Sequence, residues 1–288
     1  MTPHGLLRDP ELDARFAREG YAVVDLLDAA LVERLRSLFG EVEALYQGSF
    51  SATMLVPDPA HRRAVSEGLR ELMEPAMGGL AADLRSVFWG FVSKMPAEGA
   101  SSSGSSAAAM PLHQDISLVA EEERPGLSIW APLVDVDTAN GCLQVVPGSH
   151  LLNRGPRAPG TPFPCRELEA LIRDRHLRNL ELRAGQAVVM DHATFHGSPP
   201  NRGSGPRPAV AGILAPPDQP LRYFHRLDPA ADFSPLEAFE VDEQFFLSHT
   251  LGTRPEGLES LGTVPEACAS IRAEQLAAVT LLNSVQHP

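Results

Sequence analysis

Pro111-Leu112-His113-Gln114-Asp115-Ile116-Ser117-Leu118, written PLHQDISL, sets an imidazole and a carboxylate two residues apart within an apolar run. On a β-strand, residues i and i+2 point to one face, so His113 and Asp115 would grip one ion while Gln114 points away. A second histidine, His196, stands far downstream in TFHGSPPNRGSGPR (194–207). A folded-back strand is needed to bring it close. Two imidazoles and one carboxylate are the ligand set of a non-haem Fe(II) site with open coordination positions. H-x-D alone recurs by chance, so its weight comes from the sequence around it.

Short strand candidates separated by turn signals surround this stretch: 116–120, 127–133, 142–146, 180–183, 187–190 and 209–214. Upstream, SVFWGFVSKM (86–95) alternates and is rich in β-formers, so it reads as a further strand. Many short strands with Gly/Pro turns predict a mainly β fold, a sandwich or closed double sheet with flanking helices. The residues before His113, PAEGASSSGSSAAAM (96–110), carry no apolar face. They read as a flexible loop over 98–110, placed to act as a lid or simply to stay disordered.

Helical signals flank the strands. PELDARFAREG (10–20) is amphipathic and stops at Gly20, and YAVVDLL follows as a strand. DAALVERLRSLFGEVEALYQ places Leu31, Leu35, Leu38 and Val42 at helical spacing behind an N-cap at Asp28. Another helix is expected over 60–75, ended by Pro75, and another in CRELEALIRDRHLRN (165–179). Residues 225–288 read as mixed loop and helix, with PEACASIRAEQLAAVTLLNSV the clearest helix. The expected organisation is a single catalytic domain over 1–288. Residues 1–80 form an N-terminal helical support, 85–225 the core, and 226–288 a C-terminal loop and helix extension.

The chain has 288 residues, 43% of them hydrophobic, enough for a large core. A formal net charge of −13 argues against nucleic acid or anionic lipid as partner, since both need clustered Lys and Arg. No apolar run approaches the roughly 20 residues of a membrane span. The N-terminal stretch lacks an apolar signal core, so a cytoplasmic protein is expected. Cys142, Cys165 and Cys268 form no C-x-x-C pair and suggest neither a zinc ribbon nor a disulfide framework.

Three ordered motifs, PLHQDISL (111–118), LSIWAPLVDVDTANGCLQVVPGSH (127–150) and GQAVVMDHATFHGSPPNRGSGPRPAV (185–210), together resemble the phytanoyl-CoA dioxygenase (PhyH) family of Fe(II)/2-oxoglutarate oxygenases. The opening FAREGYAVVDLL is also similar to that family's. The resemblance covers about 85–215. It implies a double-stranded β-helix, the cupin-like jelly roll, with helices packed on one sheet. It implies His113, Asp115 and His196 as iron ligands, and 2-oxoglutarate and O2 at the remaining positions. It further implies Arg207 as partner of the distal 2-oxoglutarate carboxylate, where a guanidinium fork matches a carboxylate, and Ser198 as a hydrogen-bonding hydroxyl beside it. Arg202 is the rival for the arginine role and reads as a solvated turn residue.

Other residues carry smaller expectations. Gln114 is assigned to cofactor binding through second-layer contacts or by fixing backbone; Lys94, where the family often has a lysine, is also assigned to cofactor binding, with a snorkelling surface lysine as its other reading. Trp130, Phe195 and Arg226 are candidates for contacting substrate, with Tyr223, Phe224 and His225 beside the last. An aromatic on a core strand is, however, more often packing. His150 and His192 are weaker alternatives as ligands, and Asp191 begins a turn. Arg154, Arg157, Arg166, Arg173, Arg175 and Arg178 read mostly as a solvated face, with one or two able to reach a substrate anion. Cys142 reads as a small buried residue.

The resemblance implies hydroxylation of a small molecule (a free acid, an amino acid or a natural-product intermediate) with release of succinate and CO2. The same oxidant also desaturates, cyclises or epoxidises. Because Asp115 is retained, halogenation is disfavoured. A jelly roll that binds a metal or ligand without catalysis is the reading from another class.

Overall fold

Capping sets the N-terminal helices. The computed structural model describes residues 5–46, 49–81, 83–97, 109–121, 123–266 and 271–284. Helix α1 (Pro10–Glu19) starts where the Asp9 carboxylate accepts the Glu11 and Leu12 amides. It ends at Gly20, whose φ of +79° is the left-handed cap that glycine adopts without strain. A Cβ there would also meet the His150 ring at 2.4 Å. Strand β1 (Tyr21–Asp25) follows at once, then α2 (Ala29–Val42), capped by Asp28 as the sequence predicts. After β2 (Ser51–Ala52), α3 runs Pro59–Met77. It continues past Pro75, correcting the expected stop. A proline in the last turn costs one hydrogen bond, while Met73 and Met77 both bury.

The remaining elements in chain order are β3 (Arg85–Lys94), β4 (Met110–His113), β5 (Leu127–Pro132), β6 (Leu143–Val145), α4 (Glu169–Arg175), β7 (Arg178–Leu180), β8 (Gln186–Asp191), β9 (His196–Ser198), β10 (Arg207–Ala215), β11 (Leu221–Arg226), β12 (Leu236–Val241), α5 (Glu243–Ser248), β13 (Ser260–Val264) and α6 (Ala273–Ser284). A six-stranded antiparallel sheet has the order β1-β8-β5-β10-β3-β2, and a four-stranded one the order β4-β9-β6-β7.

Period-two alternation explains how the sheets stack. Trp89, Phe91, Ile129, Ala187 and Val189 leave the large sheet on one face and pack with Phe16, Leu35, Phe39, Leu69 and Met73 of the helices. Trp130, Val188 and Met190 leave it on the other face and pack with Leu143, Val145 and Leu180 of the small sheet. The strands are therefore apolar on both faces, and β5 is buried along its whole length. This is the expected jelly-roll core with helices on one sheet. Each wholly buried side chain, such as Leu69, contributes roughly 1.5–3 kcal/mol.

Several boundaries differ from the sequence reading. Residues 116–120 form no strand, because their amides bond to loops: Ser117 N donates to Arg157 O at 3.0 Å. The strand expected at 180–183 lies at Arg178–Leu180, and Leu182 makes an isolated bridge to Val136. The helix expected at 165–179 contracts to Glu169–Arg175 behind a 3-10 turn. The C-terminal region is not only loop and helix, since β11, β12 and β13 form a three-stranded sheet. Its last helix starts at Ala273, and 267–270 lie outside the described residues. Of the expected lid, 98–108 also lies outside them, while Met110 already belongs to β4.

Strand β4 pairs with β9 so that His113 stands opposite His196. Gly197 permits the approach: a Cβ there would meet Met110 O at 2.8 Å and Pro111 O at 3.1 Å. Gly197→Ala should push β9 off β4 and cost about 1–3 kcal/mol, read as a lower midpoint in urea unfolding. An unchanged midpoint would show that the strands part without cost.

Candidate metal centre

His113 closes β4, His196 opens β9, and Asp115 follows β4 by two residues. The sequence reading set Asp115 on the same strand as His113; it stands instead just past the strand end. There its amide donates to His192 O at 3.1 Å, and its carbonyl accepts Arg157 Nε at 2.8 Å. Ligand atoms of His113, Asp115 and His196 all lie within 4.8 Å of one another. Among the described residues they are the one cluster of three or more His, Cys, Asp and Glu able to hold a metal. The two rings lie 4.2 Å apart between centroids, and His196 Nε2 is 3.7 Å from Asp115 Oδ1.

The hydrogen bonds set each donor atom. His113 Nδ1 donates to Pro111 O at 2.8 Å, and His196 Nδ1 to Thr194 O at 2.9 Å. A carbonyl only accepts, so both Nδ1 atoms carry protons and both Nε2 lone pairs are left for a cation. Ser128 Oγ donates to Asp115 Oδ2 at 2.5 Å, which leaves Oδ1 free. Burial, then the neighbouring His196, push the His113 imidazole down to about 4, so it is neutral at physiological pH. Burial pushes Asp115 up, but His196, His192, His113 and the Ser128 hydroxyl together hold it below the usual carboxylate range. A neutral imidazole and an ionised carboxylate are the forms a divalent metal needs. This donor set fits iron(II).

Beyond the three ligands lies an inner chamber of about 170 Å³, lined among others by Ser128, Trp130, Ser198 and Arg207. Arg207 is 2% exposed, yet its Nε and Nη1 have no hydrogen-bond partner. Its guanidinium lies 5.2 Å from the centroid of the Trp130 ring. Burial pushes it down to about 10, so it stays protonated at neutral pH. A buried cation with unmet donors facing a metal site is the complement of a small carboxylate that also reaches the metal.

Other predicted residues are placed differently. Gln114 does not line the inner chamber. Its amide nitrogen donates to Asn153 O and Ala193 O at 2.8 and 2.7 Å, and its oxygen accepts Asn153 Nδ2. It fixes backbone, one of the two roles expected of it. Lys94, opposite Arg207 in the sheet, is fully buried rather than a surface residue, and donates to Ser198 O and Pro199 O at 3.1 and 2.6 Å. It positions the end of β9. Phe195 is not in the pocket; it packs edge-on against Phe163 in an apolar cluster behind β9. Arg226 is not free to reach substrate, because it pairs with Glu266 at 3.0 Å and donates to Gly160 O and Ala231 O. Arg202 is an exposed turn residue. His150 Nε2 bonds to Ala17 O, and His192 packs over Gly126; neither joins the ligand cluster. Asp191 ends β8 and pairs with Arg154 at 2.7 Å.

The sequence reading missed Ser128 and the Arg157–Glu121 pair. Ser128 had a signal: it lies two residues before Trp130, so both point from β5 toward the chamber. Arg157 had none. It lies in a loop read as solvated, yet it is 2% exposed and holds Glu121 with bonds of 2.7 and 2.9 Å.

Removing the Ser128 hydroxyl should free Asp115 to rotate. Ser128→Ala should weaken Fe(II) binding about tenfold, in line with losing a group that orients a metal ligand, and equilibrium dialysis would show it. Affinity equal to wild type would remove Ser128 from the centre. Lys94 makes a separate prediction. Burial, then Arg207, push its amine down to about 7. Between there and the ordinary value of 10.5 the unfolded chain binds a proton that the folded chain does not, so stability rises with pH. Urea unfolding at pH 7 and 9.5 should show this rise in wild type and a smaller one in Lys94→Met. Equal slopes would contradict it.

The phytanoyl-CoA dioxygenase (PhyH) family profile matches residues 16–209. Bovine peroxisomal phytanoyl-CoA dioxygenase is 29% identical over 120 residues, 38% of this chain and about a third (34%) of that protein's length. Among solved structures, the chain is similar to the non-heme alpha ketoglutarate dependent epimerase SnoN from nogalamycin biosynthesis. That match has 22% identity and a TM-score of 0.54, covering 88% of this chain and 91% of that one. It is also similar to HygX from Streptomyces hygroscopicus with nickel and 2-oxoglutarate bound (18% identity, TM-score 0.50, 73% and 88% covered). These structures share the fold. With the profile spanning most of the chain, the protein belongs to the phytanoyl-CoA dioxygenase family.

Proposed function

We propose that this protein is an Fe(II)/2-oxoglutarate-dependent oxygenase that hydroxylates a small molecule, with release of succinate and CO2. One observation carries the reading: the His113, Asp115 and His196 cluster faces, across the inner chamber, a buried Arg207 with unmet donors. His113 and His196 would hold iron through Nε2, and Asp115 through Oδ1. Arg207 would take the distal carboxylate of 2-oxoglutarate, with Ser198 beside it. When bound, iron and 2-oxoglutarate with O2 supply an oxidant strong enough to break a C–H bond.

The chain's own residues supply the rest. Ser128 keeps Asp115 from turning, and the Trp130 ring braces the Arg207 guanidinium. Lys94 holds the carbonyls of Ser198 and Pro199, and so the end of the strand that presents His196. Apolar walls, Trp130 and Ile213 among them, line the centre and limit water around the reacting atoms. Product analysis separates hydroxylation from desaturation, cyclisation or epoxidation. A cytoplasmic site of action is supported by free, buried Cys142 and Cys165. No described helix is long and apolar enough to cross a membrane.

Anaerobic titration with Fe(II) and 2-oxoglutarate tests the reading through the weak visible charge-transfer band of the chelate. Wild type should show the band and His113→Ala should lose it. Arg207→Ala should need at least about tenfold more 2-oxoglutarate, the worth of one charge-assisted hydrogen bond. No band from folded, iron-exposed wild type would move the assignment to a non-catalytic jelly roll.

A further inference from the structure

A second, larger chamber of about 420 Å³ also borders the metal ligands. His113, Asp115 and Ile213 line both chambers. Met54, Phe88, Ile116, Leu118, Phe246 and Leu251 form much of the outer wall. Besides the metal ligands, its polar side chains among the described residues are Gln114, Arg157 and Thr161.

Each of the three is already committed. Gln114 is bonded at both ends to Asn153 and also to Ala193. Thr161 Oγ1 accepts the Ala158 amide at 2.9 Å and donates to Glu266. Arg157 uses Nε on Asp115 O, Nη1 on Gly155 O, and Nη2 on both Glu121 oxygens. Its charge is matched by Glu121, whose side chain is fully buried. An incoming anion would have to displace a bidentate carboxylate and shed its own water. Both steps cost more than the contact returns.

We infer that the outer chamber takes an uncharged, predominantly apolar small molecule, or the uncharged apolar end of one, held by contact rather than by an ion pair. Calling that occupant the substrate rests on the oxygenase reading above. The inference narrows the free acids and amino acids left open by the sequence. Arg157 becomes a positioning residue: it ties the Asp115 carbonyl and is not an anchor for substrate.

Decanamide and decanoate share a skeleton and differ in charge, so they serve as probes. Equilibrium dialysis would use full-length protein loaded with Ni(II) and 2-oxoglutarate, so that Arg207 and all but one of the open metal positions are taken before decanoate is offered. Decanamide should bind at least about tenfold more tightly than decanoate. Leu251→Trp and Ile116→Trp, each checked for folding by circular dichroism, should each weaken decanamide about tenfold by filling the chamber. Glu121→Gln removes the counter-charge on Arg157 and should raise decanoate affinity about tenfold.

Decanoate bound as tightly as decanamide would overturn the inference. So would decanamide binding that neither tryptophan variant changes, or no decanamide binding up to its solubility limit. Unchanged decanoate affinity in Glu121→Gln would overturn the role given to the pair. The chelate band is read separately. Decanamide held in the chamber without a band rejects the oxygenase and keeps the chamber's polarity, while a band with decanoate preferred does the reverse.

Discussion

Antiparallel pairing of β4 with β9 sets His113 opposite His196, and the candidate metal centre holds together only while that register does. Side chains alternate with a period of two, so a slip of one residue would turn His196 into the apolar cluster and Phe195 toward the metal. The register has several supports. Gly197 lets the backbones approach, Lys94 holds the carbonyls of Ser198 and Pro199, and Ser149 Oγ accepts the Phe195 amide. Asp115 comes from beyond the strand and has no ladder to place it. Its backbone is tied by His192 and Arg157, and its carboxylate by Ser128.

Buried charge is costly, and the fold meets that cost differently on the two sides of the centre. Arg157 and Glu121 neutralise each other through Nη2 and both carboxylate oxygens, so that pair adds little net field to the outer chamber. Among the described residues Arg207 has no acidic partner, and its Nε and Nη1 are unmet. That asymmetry divides the centre into a side that favours an anion and a side that does not. Metal ligands shared by both chambers sit at the division. Lys94 meets its own burial with two carbonyls and a lowered affinity for its proton.

Much of the fold was legible because local rules agreed with the tertiary outcome. Asp28 and Gly20 capped helices as expected, and the strands at 86–95, 127–133, 187–190 and 209–214 appeared with small shifts in their ends. The misreadings have physical causes. Residues 116–120 look like a strand by composition, but their backbone bonds are scattered, Ser117 N to Arg157 O and Leu118 O to Arg222 N, and form no ladder. Strands β11–β13 were hidden among prolines and charges, because an outer sheet alternates less cleanly. Arg226 sits on one of those strands with its partner Glu266 far along the chain, and no local pattern reports such a pair.

Sequence alone determined the candidate ligand types, their order, the mainly β class and the family resemblance. These depend on residue identity and on short-range periodicity, which a chain carries whether folded or not. Tertiary structure decided which of the predicted residues face the centre. Trp130 and Arg207 line the inner chamber and Gln114 the outer one, while Phe195 and Arg226 line neither. It also decided that Arg157 is buried against Glu121 rather than solvated. Burial and ion pairing between residues 36 positions apart are properties of the packed chain. They depend on which surfaces exclude water, and that is settled only when the sheets and loops close around the site.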